Sequence, residues 1–408
     1  MEEFEKLERA LSQVSGFIYP NEVELQWGLL VVIYPYITGL VAGAFILASL
    51  EKVFKVKEVL PTYRLAMLTA LAFLIVAPMP LQAHLGHPER SVSIFLTPNP
   101  DSAMAMFGFV YLWYLMVVLL LEIWFEYRAD LAMWSKQKTG PIRLFYWLVS
   151  LGSRDLSPAS IEFDRKAVHA VTLIGIPSAF LLHGYVGFIF GSVKANPWWS
   201  SVLMPIVFLF SAIVSGIALV LLIYYFSSLL RKKAPEMACL NKLASFLLYA
   251  LIIDLSLELL DFVHRLYESE ESVEILRELI SSKLFISLTI VQILLGTIGP
   301  MVMLAVARFS TLPDELKRIS YFLAALLVQV GIFSTRWNVV IGGQLFSKSL
   351  RGLTVYKLEL GGAEGVFAAL GLLILPFIIL YVLIKLLPPW EEARAIPTAE
   401  SGVRDGEL

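Results

Sequence analysis

Cysteine is nearly missing from this chain: Cys239 is the single one in 408 residues. One thiol cannot close an internal disulfide, and it cannot supply the set of thiolates that holds an iron–sulfur cluster, so any such cluster must belong to a partner. Charge is also scarce. Asp, Glu, Lys and Arg make up 16% of the chain, the formal net charge is −2, and no basic block is dense enough to bind nucleic acid. The opening Met1–Gln13 stretch is charged and helix-permissive but lacks the basic-then-apolar order of a cleavable signal. The first apolar run must then direct insertion, and the mature chain is expected to start at or near Met1.

What the chain has instead is apolar sequence, 58% of its residues, too much for a soluble domain. A hydrocarbon core about 30 Å thick is crossed by roughly 20 apolar residues in a helix. Runs near 27–50, 62–84, 103–126, 167–191, 201–230, 241–265, 283–307, 318–341 and 365–387 each meet that length. The expectation is an all-α polytopic membrane protein of nine transmembrane helices in the cell membrane. Lys and Arg collect in connections one, three, five and seven (Lys52, Lys55 and Lys57; Arg128 to Lys166; Arg231, Lys232 and Lys233; Arg308 and Lys317). That bias places the N-terminus outside and, after nine crossings, the C-terminus inside.

Along the chain, residues 1–26 form an outer-side segment, 27–191 a first four-helix bundle, 192–345 a second, 346–387 an outer loop with the ninth helix, and 388–408 a flexible inner tail with little to bury. No strong internal repeat is visible. Ile142–Leu151, in the long inner connection, is amphipathic and reads either as a helix along the inner headgroups or as an ordinary loop helix. Gly39-Leu40-Val41-Ala42-Gly43 has the small-residue spacing of close helix packing in lipid.

The polar clusters fall at one predicted face, the outer one. His84, His87 and Arg90 close the second run; His183-Gly184-Tyr185 closes the fourth, where a phenol in the outer leaflet can donate to a quinone carbonyl. In the sixth run Asp254, Glu258, Asp261 and Arg265 recur at spacings of four, three and four, on one helical face, with His264 beside them. Acids inside lipid are costly and are usually kept for a pathway or a paired site, so the column reads as a proton exit to the outer side, or alternatively as a packing stripe neutralised by Arg. Arg336, Asn338 and Gln344 close the eighth run. Arg336 either pairs with those acids or a quinone oxyanion, or snorkels to headgroups. Glu122 and Glu126, near the inner end of the third run, read as interfacial charges.

On these residues the chain resembles the polysulfide-reductase membrane-subunit family of the NrfD or PsrC type, including its HybB- and DsrP-like branch. The likeness covers most of residues 25–345 and is carried by Tyr36-Ile37-Thr38-Gly39-Leu40-Val41-Ala42-Gly43, His84 to Arg90, Gly184-Tyr185-Val186-Gly187, Pro197-Trp198-Trp199 and Arg336 to Gln344. The resemblance implies a quinone-binding anchor without haem or cluster of its own, using menaquinone and docked to a ferredoxin-like iron–sulfur subunit at the outer face, with other cytochrome or membrane subunits. It implies quinone contact at Tyr185. The family's polar residue in the first helix falls near Tyr34 and Tyr36, which are phenols where some members have histidine, and His84 stands where Asp is frequent. The expected quinone site is therefore Tyr185, His183, His84, Arg336, Tyr34, Tyr36, Asn338 and Gln344, with Asp254, Glu258, Asp261 and His264 as the proton path. Sulfur-compound respiration and a hydrogenase anchor both stay open, as does the direction of electron flow. Two other classes remain: a di-haem cytochrome b using His169 and His183, fourteen positions apart, and a proton-coupled transporter with breaks near Pro177, Pro205 and Gly296.

Overall fold

The computed structural model describes residues 14–268 and 272–390. The readings of Met1–Gln13 and of the tail beyond Trp390 fall outside the described residues. Among them are nine helical spans long and apolar enough to cross a membrane: α1 Leu29–Lys52, α2 Lys57–His84, α3 Ala105–Gln137, α4 Pro158–Gly191, α5 Met204–Leu230, α6 Met237–Arg265, α7 Phe285–Phe309, α8 Asp314–Gln344 and α9 Val366–Leu386. The chain is an all-α, multi-pass membrane protein. In lipid only a structure that satisfies its own backbone hydrogen bonds survives, and helices do so within each segment.

Burial ranks the helices. In their apolar windows α1 is 89% and α5 78% enclosed by protein, whereas α9 is only 17% enclosed. The two central helices meet where side chains vanish: a Cβ on Gly43 would come within 2.0 Å of the Ala212 carbonyl oxygen, and one on Gly216 within 2.2 Å of the Gly43 backbone. The small-residue stripe of the first run is thus a backbone-to-backbone crossing between α1 and α5. Gly296 and Gly331 make a second such crossing between α7 and α8.

Local chemistry sets the breaks. Pro78 lacks an N–H and interrupts α2 between Val76 and Met79. The Leu74 carbonyl, four residues earlier, takes the Tyr111 hydroxyl at 2.8 Å, which pins α3 to this point. Much of α7 is π-helical, from Phe285 to Ile298, and Thr297 Oγ1 donates back five residues to the Gln292 carbonyl.

The helix ends cluster on two faces. On the face where α1 begins, called the N-terminal face below, β1 (Ser15–Gly16) pairs antiparallel with β2 (Gly352–Leu353). Gly16, at φ +73°, lies so close to the Arg351 carbonyl that any side chain there would collide with it. Asn196 Nδ2 donates to Gly343 O at 2.7 Å, and Trp198 and Trp199 donate their indole N–H groups to Asn338 O and Val339 O. On the opposite face, Arg64 bridges Glu126 (2.9 Å) and Asp130 (2.8 Å), and Lys52 reaches Glu126 at 3.2 Å. Buried Arg128 holds Asp164, Ser153, Ser160 and the Asp155 carbonyl together, fixing the long connection between α3 and α4.

Candidate functional site: a buried polar belt beside an aromatic slot

The acids of α6 line one face of that helix, and all are enclosed: Asp254 is 3%, Glu258 9% and Asp261 7% exposed. Asp261 is paired with Arg265 one turn on and accepts from Ser201. Glu258 receives the Gln292 amide at 3.1 and 3.2 Å. Gln292 in turn accepts from Asn338 Nδ2 at 2.8 Å, and Asn338 accepts from Ser287 at 2.6 Å. A cavity of about 50 Å³ lies between Glu258, Asp261, Gln292 and Asn338, enough for water, which needs about 10–15 Å³. One oxygen of Asp254 has no hydrogen-bond partner among the described residues. His264 is part-buried on the same helix.

Arg336 is fully buried, so it does not snorkel. Its Nη2 donates to Ser211 Oγ at 2.6 Å and lies 3.2 Å from His183 Nε2, while the guanidinium stacks over Phe208 at 4.3 Å. Asp254 and Glu258 lie within its electrostatic reach, and Nε and Nη1 have no hydrogen-bond partner among the described residues. His183 is fully buried too. Because a guanidinium can only donate, His183 Nε2 must accept, which leaves the proton on Nδ1, 3.3 Å from Thr38 Oγ1. Thr38 passes its own hydrogen to the Tyr34 carbonyl at 3.1 Å. The imidazole fits here because Gly39 has no side chain: a Cβ would stand 3.1 Å from His183 Cε1. Both ring nitrogens of His183 are therefore engaged, and His169, with Nδ1 3.2 Å from the Lys52 carbonyl oxygen, lies at the other face, an arrangement unlike a pair of axial ligands.

Where α1, α3 and α4 meet, three aromatic rings pack together, and the place they share is called the aromatic slot below. Phe107 stacks on Tyr185 (5.7 Å between ring centres) and meets Tyr34 edge to face at 5.6 Å. Tyr185 is half-buried and donates its hydroxyl to the Ala103 carbonyl. The Tyr34 hydroxyl is buried without a hydrogen-bond partner among the described residues.

The remaining expected site residues are placed elsewhere. Tyr36, two residues from Tyr34, points the other way: it donates to Gln329 at 2.7 Å and lines a cavity of about 920 Å³ that runs past Leu40, Phe333, Trp337 and α9. His84 contacts Glu364, in the approach to α9, at 3.0 Å, apart from His183 and Tyr185. Gln344 spends its amide on both backbone groups of Trp27 and on the Val340 carbonyl, holding the start of α1 to the end of α8. Asn338 belongs to the acid network through Gln292. The interfacial reading of Glu122 is corrected: this carboxyl is fully buried, and one of its oxygens accepts from Tyr63 (3.0 Å) and Thr172 (2.8 Å). Glu126 is part-buried in the Lys52 and Arg64 ion pairs described above.

Ser211, Ser287, Gln292 and Gln329 escaped the sequence reading, and Thr38 entered it only as part of a motif, without a role. Gln292 and Gln329 carried a usable signal, since an amide inside an apolar run needs a polar partner on another helix. Thr38, Ser211 and Ser287 carried none, because a hydroxyl can satisfy itself on its own helix.

Residues 20–348 match the family described as polysulphide reductase, NrfD. The chain belongs to the NrfD family. Among relatives, a subunit of the selenate reductase of Mesobacillus selenatarsenatis is 33% identical over 322 residues, covering 77% of this chain and 73% of that one. The Hdr-like menaquinol oxidoreductase integral membrane subunit of Archaeoglobus fulgidus is 24% identical over 338 residues, 82% of this chain and 74% of its own. Protein NrfD of Escherichia coli is 25% identical over 215 residues, 52% and 63% of the two chains. In this NrfD-family chain the matched region holds α1 to α8, and with them the belt and the slot.

Proposed function

We propose that this protein is the quinone-reactive membrane subunit of a multisubunit oxidoreductase, and that the quinone headgroup enters the slot between Tyr34, Phe107 and Tyr185. The observation that carries the reading is the Tyr34 hydroxyl, a buried donor without a hydrogen-bond partner among the described residues, at an aromatic wall that suits a flat ring. Buried polar groups are rarely left unpaired, and a quinone carbonyl supplies the missing acceptor. Tyr185, at the same wall, exchanges its Ala103 bond for the second contact. The relative from Archaeoglobus fulgidus, named for menaquinol, supports menaquinone as the substrate.

Oxidation of the quinol to quinone releases two electrons and two protons. The electrons pass to an iron–sulfur partner docked on the N-terminal face; the relatives named as reductase or oxidoreductase subunits support a multisubunit setting. The protons have polar groups to follow: Thr38 and His183 adjoin Tyr34, Arg336 joins His183 to the α6 acids, and Glu258 leads through the small cavity to Asp261. The bias of Lys and Arg toward the opposite face supports the N-terminal face as the outer one. Quinone reduction uses the same groups in reverse.

Titration of the detergent-solubilised chain with a fluorescent menaquinol analogue tests this. Tyr34→Phe and Tyr185→Phe should each weaken saturable binding by an amount equivalent to about 0.5–1.5 kcal/mol, the usual net worth of one hydrogen bond. Unchanged affinity in both variants would remove the slot from consideration.

A further inference from the structure

The most unusual surface outside the belt is on the opposite face, where the short helix Pro141–Val149 follows α3. One side of it is anchored: the Tyr146 hydroxyl donates to the Leu386 carbonyl at the end of α9, its ring packs on Trp134, and Trp124 donates to the Val149 carbonyl. The other side is apolar and open. Leu144 is 56%, Trp147 40%, Leu148 55% and Leu151 79% exposed. Leu144, Trp147 and Leu148 share one face of the helix and Leu151 follows just past its end, and an apolar face left open at the end of a transmembrane helix is suited to the edge of a bilayer.

Beside this face lies a cavity of about 460 Å³ lined by Ser135, Lys136, Arg143 and Arg154 together with Leu144 and Trp147. No carboxylate lines it, and none of its three cations forms an ion pair with a carboxylate among the described residues. The carboxylate of the neighbouring Asp155 is turned to the Ser157 amide at 2.8 Å. Lys136 donates to the Arg154 carbonyl at 3.3 Å, which keeps the cations together. The pocket therefore has a cationic mouth and an apolar wall, continuous with the exposed apolar face of the helix.

We propose that this pocket binds an anionic phospholipid, its phosphate held by Lys136, Arg143 and Arg154 and its acyl chains lying along Leu144, Trp147 and Leu148. Guanidinium groups match phosphate oxygens in pairs, and the apolar wall accounts for the part of the ligand that free phosphate lacks. An acidic protein segment would match the cations but would leave the apolar face uncovered. Because the helix is bonded to the end of α9, the bound lipid also fixes the contact between α9 and the α3–α4 connection.

The test is lipid retention by the full chain in nanodiscs that mix phosphatidylglycerol with phosphatidylcholine, read by native mass spectrometry after detergent release. The Arg143→Gln/Arg154→Gln double variant should lose phosphatidylglycerol retention about thirtyfold, as expected when two cations near a membrane surface are removed. Phosphatidylcholine retention should stay unchanged, and Arg143→Lys/Arg154→Lys should restore much of the loss. Lys232→Gln/Lys233→Gln, on the same face, serves as the control and should behave as the unaltered chain. Undiminished retention in the Gln double variant would overturn the proposal, as would an equal loss in the control. Displacement of the lipid by millimolar inorganic phosphate would reassign the pocket to free phosphate and overturn it as well.

Discussion

His183 and Arg336 stand 153 residues apart in sequence, and their side chains meet 3.2 Å apart in the interior. This contact joins α4 to α8, with Thr38 of α1 beside His183 and the α6 acids Asp254 and Glu258 within the electrostatic reach of Arg336. Arg336→Ala would remove the donor that Ser211 and His183 share and leave the α6 acids without the nearby positive charge, and losing hydrogen bonds to a charged group costs about 1.5–3 kcal/mol each. Thermal unfolding in detergent should show a large loss for Arg336→Ala and a smaller one for Arg336→Lys, which keeps the charge without the paired geometry to His183 and Ser211. Equal melting of all three proteins would remove Arg336 from the stabilising network.

Glu258→Gln separates proton movement from binding. The amide keeps the shape and one acceptor for Gln292 but cannot carry a proton. In the assembled complex, quinol oxidation should slow several-fold while analogue affinity stays within experimental error. Unaltered turnover would reduce the α6 column to a packing role.

The glycines of α1 have distinct roles and should respond differently to Ala. At Gly39 the new methyl meets an imidazole 3.1 Å away that can shift, and at Gly43 it meets backbone at 2.0 Å that cannot. Overpacking costs typically about 1–3 kcal/mol, so Gly39→Ala should lie at the low end with an effect on turnover through His183, and Gly43→Ala at or above the high end. Melting temperatures in the reverse order would contradict the described crossing of α1 and α5.

Glu122 offers a test of the buried carboxyl that sequence reading placed at the interface. Its Oε1 accepts from Tyr63 and Thr172. Gln retains that acceptor, whereas Ala strands the Tyr63 hydroxyl, at a cost of about 1–3 kcal/mol if it stays unsatisfied, while Thr172 keeps the Val168 carbonyl at 2.8 Å. Glu122→Gln should therefore melt close to the unaltered protein and Glu122→Ala well below it.

The nine spans were legible in the sequence because length and apolarity alone decide them, and so was the alignment of Asp254, Glu258 and Asp261, which follows from helical spacing. Partners on distant helices were not. Glu122 looks interfacial from its place near the end of a run, and only Tyr63 and Thr172 from two other helices bring it inside. Tyr34 and Tyr36 were grouped because they are adjacent in sequence, yet two residues turn a helix by about 200°, so one faces the slot and the other the large cavity. Gln344 resembled a site residue because it ends a polar stretch; its amide instead closes the seam between the first and eighth helices.

The most direct test of the quinone slot is photolabelling of the purified chain with a menaquinone analogue that carries a photoreactive group on its ring, followed by peptide mapping. The account predicts labels on α1 around Tyr34, on α3 around Phe107 and on α4 around Tyr185, all competed away by unlabelled menaquinone and reduced in Tyr34→Phe. Competed labels confined to Tyr36, Phe333 and Trp337 would place the headgroup in the large cavity instead and contradict it.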